Sequence, residues 1–254
     1  MRINRSKIPR IFRSKKSQEE AVELSEKDGV LSLHLGSELV QSAMKVTKPH
    51  GLELAYTRCM MTFLVFNPQP KRVLLIGLGG GSLVKFIHHY FPETIITAVE
   101  INSQVVAAAR SYFMLPEENE RFQIIIADGA EYIKEQQDAF DVILIDGYED
   151  GKMAKVLGTE EFYEAASSAL EKDGVMVGNF LSFDKQLNHY VERITNAFEG
   201  GSTSLSDGED GNVIIFAFKK HIDKRRLKTF QKRAVSMEEL YGIPITDYAN
   251  DLSL

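Results

Sequence analysis

The stretch RVLLIGLGGGS, Arg72–Ser82, sets a short apolar run directly against a cluster of glycines, and a helix-compatible segment, LVKFIHHY, follows it. A brief apolar run that ends at a turn reads as a buried strand. Glycines let the backbone turn tightly and approach a ligand, and the helix start behind them favours electron-rich groups. The same rhythm recurs down the chain. Strands are expected at Arg72–Ile76, Ile95–Glu100, Phe122–Ala127, Asp141–Ile145, Gly174–Asn179 and Asn212–Phe218, the last entered through a turn at Asp207–Gly211. Helices are expected between them at Leu83–Tyr90, Gln104–Phe113, Ala130–Gln136, Glu160–Leu170 and Leu187–Ala197. Alternation of this kind produces right-handed βαβ units and a parallel sheet with helices on both faces.

The flanks differ from this core. Residues 1–20 are rich in Lys and Arg with no clean period and read as a basic arm. In residues 21–51 the segment GVLSLHLGSELVQ alternates apolar and polar positions, which predicts a strand, a turn at Gly36–Ser37 and a second strand. Leu52–Phe66 is apolar nearly throughout and predicts a buried helix ended by Asn67–Pro70. The main domain is therefore read as 52–219, and 220–254 as a tail. Its helix, Asp223–Leu240, has Leu227, Phe230, Ala234 and Met237 on one face.

Composition narrows the function classes. The single cysteine, Cys59, rules out an internal disulfide and the usual zinc-finger or iron–sulfur ligand sets; no metal is expected, and a reducing cytoplasm fits. No apolar run reaches the ~18–20 residues of a membrane span, and the first residues lack the apolar stretch of a signal peptide. A net charge of −6 argues against a nucleic-acid partner and for cationic ligands.

Four strand ends carry the chemistry. Gly77 and Gly79 lie in the loop after the first strand of the main domain. Glu100 ends the second, where an acid can accept both hydroxyls of a ribose. Asp128-Gly129 follows the third, where a carboxylate can accept from an adenine amino group; an Asp-Gly turn with no ligand is the plainer alternative. A dinucleotide fingerprint would need glycine at position 82, which is Ser82, so an NAD enzyme is disfavoured. Asp146 ends the fourth strand in DVILIDGYED, placed to act as a general base or to hold a cationic nucleophile.

The stretches RVLLIGLGGGSLVKF, TAVEINSQVVAAARSYF, ADGAEYI, FDVILIDGYED and TEEFYEAASSALEKDGVMVGNF resemble the spermidine-synthase family of aminopropyltransferases, in order, from about Gly29 to Phe218. The resemblance implies a class I methyltransferase-like, mostly parallel seven-stranded sheet, a small N-terminal β unit and a homodimer. It also implies decarboxylated S-adenosylmethionine as co-substrate and a diamine such as putrescine as acceptor. By the same resemblance Glu100 binds ribose, Asp128 binds adenine and Asp146 is the catalytic base. Glu149 grips the far amine, and Gln41 and Tyr56 fall at the substrate channel.

Two positions depart from the family. Gly79 is read at the place where the family's glycine loop carries an aspartate for the aminopropyl ammonium. Asp146-Gly147-Tyr148-Glu149-Asp150 lacks the family's proline. The loss of that aspartate leaves ordinary S-adenosylmethionine open as donor. A methyltransferase, or a non-catalytic nucleoside-binding relative, is therefore kept beside the aminopropyltransferase reading.

Overall fold

The computed structural model describes residues 22–36, 39–149, 152–208, 211–222 and 227–252. The expected basic arm lies outside these residues, as do Asp150 and the side chain of Glu149.

The chain opens with a small antiparallel sheet of β1 (Val22–Lys27), β2 (Val30–Leu35) and β3 (Ser42–Lys45). Asp28 and Gly29, at φ 53° and 76°, make the β1–β2 turn, in the primed hairpin geometry that matches strand twist. Here the sequence expectation needs correcting. It missed β1, and it placed the strand after β2 too early: Gln41 precedes β3 rather than ending a strand. The expected single helix over Leu52–Phe66 is also divided, into α1 (Ala55–Met60) and a 3-10 turn, Met61–Val65. Both pieces are buried nearly all round, and the tighter final turn hands the chain to Asn67–Pro68, where the helix cannot continue.

Seven strands form the main sheet. Strands β4 (Arg72–Ile76), β5 (Ile95–Glu100) and β6 (Phe122–Ile126) alternate with α2 (Ser82–Tyr90), α3 (Ser103–Tyr112) and α4 (Gly129–Lys134). Next come β7 (Phe140–Ile145), a two-residue hairpin of β8 (Tyr148–Glu149) and β9 (Lys152–Met153), and α5 (Glu160–Ala169). They are followed by β10 (Leu170–Leu181), α6 (Leu187–Ala197), β11 (Ser202–Ser206) and β12 (Asn212–Phe218). The spatial order is β11-β12-β10-β7-β4-β5-β6; β10, β7, β4, β5 and β6 run parallel, and β12 is antiparallel to both β10 and β11. Six of these strands were expected; β11, the outermost, was not.

Each sheet face carries its own apolar layer. Phe63, Phe86, Ile87 and Phe216 fill one, joined by Phe230, Ala234 and Met237 of α7 (Leu227–Tyr241) and by Ile245 of α8 (Ile245–Asp251). The tail helix therefore docks through Phe230, Ala234 and Met237 of the expected face, each large buried side chain contributing roughly 1.5–3 kcal/mol; residues 223–226 and the side chain of Leu227 lie outside the described residues. Arg233 fixes it further by donating to the Val65 carbonyl at 3.0 Å. Ile133, Phe162, Tyr163, Phe180 and Ile194 fill the opposite layer.

The strand order reverses between β4 and β7. The chain travels outward from β4 through β5 to β6, then returns to lay β7 on the other side of β4. A sheet of this kind opens a crevice at that point, beyond the carboxyl ends of its strands.

Candidate functional site

Reading across the crevice, Asp146 follows β7, Gly77 follows β4, Glu100 ends β5 and Asp128 follows β6. The sequence candidates thus fall on four neighbouring strands.

Gly77 shapes the seam between β4 and β7. Its φ is 93°, and a Cβ there would sit 2.3 Å from the Asp146 carbonyl oxygen, so only glycine lets loop and strand end meet. Asp146 N donates to the Ile76 carbonyl at 2.8 Å, closing the same seam. Gly79 has φ 53°, with only ordinary contacts around its Cβ position, Ser42 Cβ at 3.5 Å being nearest. An aspartate at this position would have room but would strain the backbone, the costly case for restoring a carboxylate there.

Glu100 is 8% exposed. Its Oε2 accepts from Leu78 N and its Oε1 from Asn102 N, each at 2.9 Å, so the carboxylate staples the glycine loop to the end of β5. Burial raises its pKa, while backbone N–H groups, Leu78 first, oppose the shift. Asp128 caps α4, its Oδ1 accepting from Ala130 N at 2.8 Å, and Gly129 opens that helix. The turn-and-cap use of Asp128 is therefore realised, with its second oxygen still available.

Asp146 is the focus. Its Oδ1 accepts from Asn179 Nδ2 at 2.9 Å, and its Oδ2 lies 3.1 Å from the Tyr56 hydroxyl. That hydroxyl also lies 3.3 Å from the Gln41 carbonyl oxygen, so one proton is shared between the β unit and the acid. Burial pushes the Asp146 carboxyl up to about 6; the Asn179 and Tyr56 hydrogen bonds pull the other way, and the nearby Glu100 charge adds to the rise. Gln41 and Tyr56, far apart in sequence from Asp146, are thus brought to it. Glu149 is placed only by its backbone, paired with Lys152 in the hairpin beyond Asp146.

Sequence reasoning missed the groups behind the acid. Asn179 on β10 and Asn212 at the start of β12 are 2% and 7% exposed. Tyr148 donates its hydroxyl to the Asn179 carbonyl at 3.1 Å. The one available signal was a lone polar residue near the end of an apolar strand, VMVGNFL. Among the described residues, no group of three or more His, Cys, Asp or Glu side chains could hold a metal, and no helix is long and apolar enough to cross a membrane.

Residues 53–197 match the family described as the spermine/spermidine synthase domain. A polyamine aminopropyltransferase of Chromobacterium violaceum is 42% identical over 231 residues, 91% of this chain and 88% of the relative. Among solved structures, a spermidine synthase in complex with the transition-state analogue AdoDATO superposes with a TM-score of 0.69 at 24% identity, covering 87% of this chain and 79% of that one. Human methyltransferase-like protein 13 in complex with SAH gives 0.64 at 24% identity, covering 73% and 93%. At these identities both structures speak to the fold, which is methyltransferase-like.

Proposed function

Because the chain belongs to the spermine/spermidine synthase family and is an aminopropyl-transferring enzyme, we propose that Asp146 is the general base of that transfer, with decarboxylated S-adenosylmethionine as donor and a diamine such as putrescine as acceptor. A diamine nitrogen arrives as an ammonium with a pKa of about 10, as for lysine. Asp146 takes one proton, and the freed lone pair attacks the methylene beside the sulfonium. The N–C bond forms, the C–S bond breaks, and its electron pair stays on sulfur as neutral methylthioadenosine leaves. Moving a proton from a pKa of about 10 to one of about 6 costs about 5 kcal/mol. The adjacent sulfonium charge reduces that cost by lowering the amine's own pKa.

The observation that carries this reading is the Asp146 carboxyl itself. It stands at the sheet's reversal point, raised to about 6, with each oxygen met by a neutral donor, Asn179 or Tyr56. Its negative charge is thus left for a cationic substrate. At pH 7.5 a group of pKa about 6 is overwhelmingly ionised, as a base must be. In this reading Gly77, Gly79, Glu100, Asp128 and Gly129 form the nucleoside side, while Gln41, Tyr56 and Glu149 form the acceptor side. The resemblance also supports a homodimer in the cytoplasm; light scattering on the purified protein checks the assembly.

The test is direct. The protein is incubated with decarboxylated or ordinary S-adenosylmethionine and a series of diamines, and products are separated. Methylthioadenosine and a longer polyamine from the decarboxylated donor are expected. S-Adenosylhomocysteine, with no methylthioadenosine, would refute the donor and reaction proposed.

A further inference from the structure

Behind Asp146 the hydrogen bonds continue away from the crevice in one line. Asn179 Nδ2 donates to Asp146 Oδ1, and Asn179 Oδ1 accepts from Asn212 Nδ2 at 2.8 Å. Asn212 is itself held by Asp207: Asn212 N donates to Asp207 Oδ1 at 3.1 Å, and Asp207 N donates to the Asn212 carbonyl at 3.1 Å. The antiparallel pairing of β10 with β12 sets this register.

A primary amide has donors at one end and an acceptor at the other. With an Asn212 N–H aimed at its oxygen, the Asn179 amide can present only its NH₂ to Asp146. A reversed amide would set oxygen against oxygen at the base, an arrangement satisfied only when Asp146 carries a proton. Donors to the charged form lower a carboxyl pKa, and acceptors opposite it raise that pKa.

Resting on the reading of Asp146 as the base, we propose that Asn212 is a positioning residue for the transfer: it bonds Asn179 rather than the acid, and fixes the amide orientation that keeps Asp146 ionised. The other polar groups facing Asp146 are Glu100 from the end of β5, Tyr56 from α1 and Tyr148 from β8; Asp207 stands behind Asn212. The proposal separates the amide's effect from that of these charges.

The experiment is a double-mutant cycle on the acid limb of the kcat–pH profile, with Asn212→Asp, Asn179→Leu and both together. The aspartate offers Asn179 only acceptors, so the amide turns and the limb should rise by about one pH unit or more. Asn179→Leu removes the donor and should raise the limb by a similar amount. In the double variant the limb should lie above that of Asn179→Leu by clearly less than the shift Asn212→Asp gives alone, because only the direct charge of residue 212 is left once the amide is gone. Asn212→Ser keeps a donor and should stay within about half a unit of wild type, and it keeps the test alive if the aspartate does not fold. The proposal falls if Asn212→Asp leaves the limb unmoved, if its shift persists undiminished on the Asn179→Leu background, or if the serine variant shifts fully. The parent reading is tested separately by Asp146→Asn. Near-wild-type turnover there removes the base assignment and this proposal with it. Lost turnover there, with an unmoved limb in Asn212→Asp, removes the positioning role alone.

Discussion

Replacing Asp146 by asparagine should make the protein less active and more stable at once, and the structure sets the size of the second effect. The carboxyl is held at about 6 in the fold against an ordinary 3.8 for a solvated aspartate. The folded-state pKa is the higher of the two, so the fold penalises the charged form. Wild type therefore loses stability as pH rises from about 3.8 to about 6 and stays at the lower level above it. A difference of about two units corresponds to about 3 kcal/mol at pH 8, shrinking to about 1 kcal/mol at pH 4.5. Asparagine is never charged and fits the same bonds. Its oxygen accepts from Asn179 Nδ2, its NH₂ donates to the Tyr56 oxygen, and the Tyr56 proton turns to the Gln41 carbonyl already 3.3 Å away. For a domain of this size each kcal/mol moves the midpoint by about 2–4 °C, so the full effect at pH 8 is about 6–12 °C. Urea unfolding of both proteins at pH 4.5 and pH 8, with thermal melts beside it, measures the gain. Turnover should fall by about 10²–10⁴-fold, the scale of general-base catalysis. A variant no more stable than wild type at pH 8, or equally stabilised at both pH values, would refute the argument that burial strains this charge.

Three further outcomes follow from neighbouring contacts. Tyr56→Phe removes a donor to the charged acid, so the acid limb of kcat should rise by about one pH unit with little change above pH 8.5; a limb that moves down would contradict the sign. Methylthioadenosine should raise the melting temperature of wild type. Glu100→Ala and Asp128→Ala should both blunt that shift, the latter at a basal cost of about 1 kcal/mol from the lost α4 cap; a full ligand shift in both would dismiss the strand-end pocket. Gly77→Ala forces a Cβ to within 2.3 Å of the Asp146 carbonyl at a φ of 93°, so soluble yield or the melting midpoint should drop sharply, and a variant that melts like wild type would show that the seam yields easily.

The main sheet was readable because β4, β5, β7 and β12 are apolar runs bounded by turns or helices, and β5 and β7 end at the acids Glu100 and Asp146. β1 and β11 escaped for the opposite reason. In β1, VELSEK is mostly exposed and half charged; in β11, STSLS buries only Thr203 and Leu205. Neither shows the apolar signal that a sequence scan detects, and both are strands because a neighbour supplies the ladder. Asn179 and Asn212 were illegible for a related reason. Their pairing depends on how β10 and β12 align, a long-range register that no local pattern contains. Glu100 was found by its place at a strand end, yet its two bonds to Leu78 and Asn102 are backbone contacts that composition cannot reveal.

The reversal of strand order also divides the chain's labour by sequence. The groups proposed for the nucleoside lie between Gly77 and Gly129, all on the side of the sheet running from β4 to β6. The acid and the two asparagines behind it, Asp146, Asn179 and Asn212, lie later in the chain, on the side running from β7 to β12, while Tyr56 reaches the acid from α1. The two halves abut where Gly77 touches the end of β7. Such a layout is partly modular: a graft that replaces segments after residue 146 can remodel the Glu149 part of the acceptor side with the nucleoside cradle left whole, so long as Gln41, Tyr56 and the glycine at the join are kept.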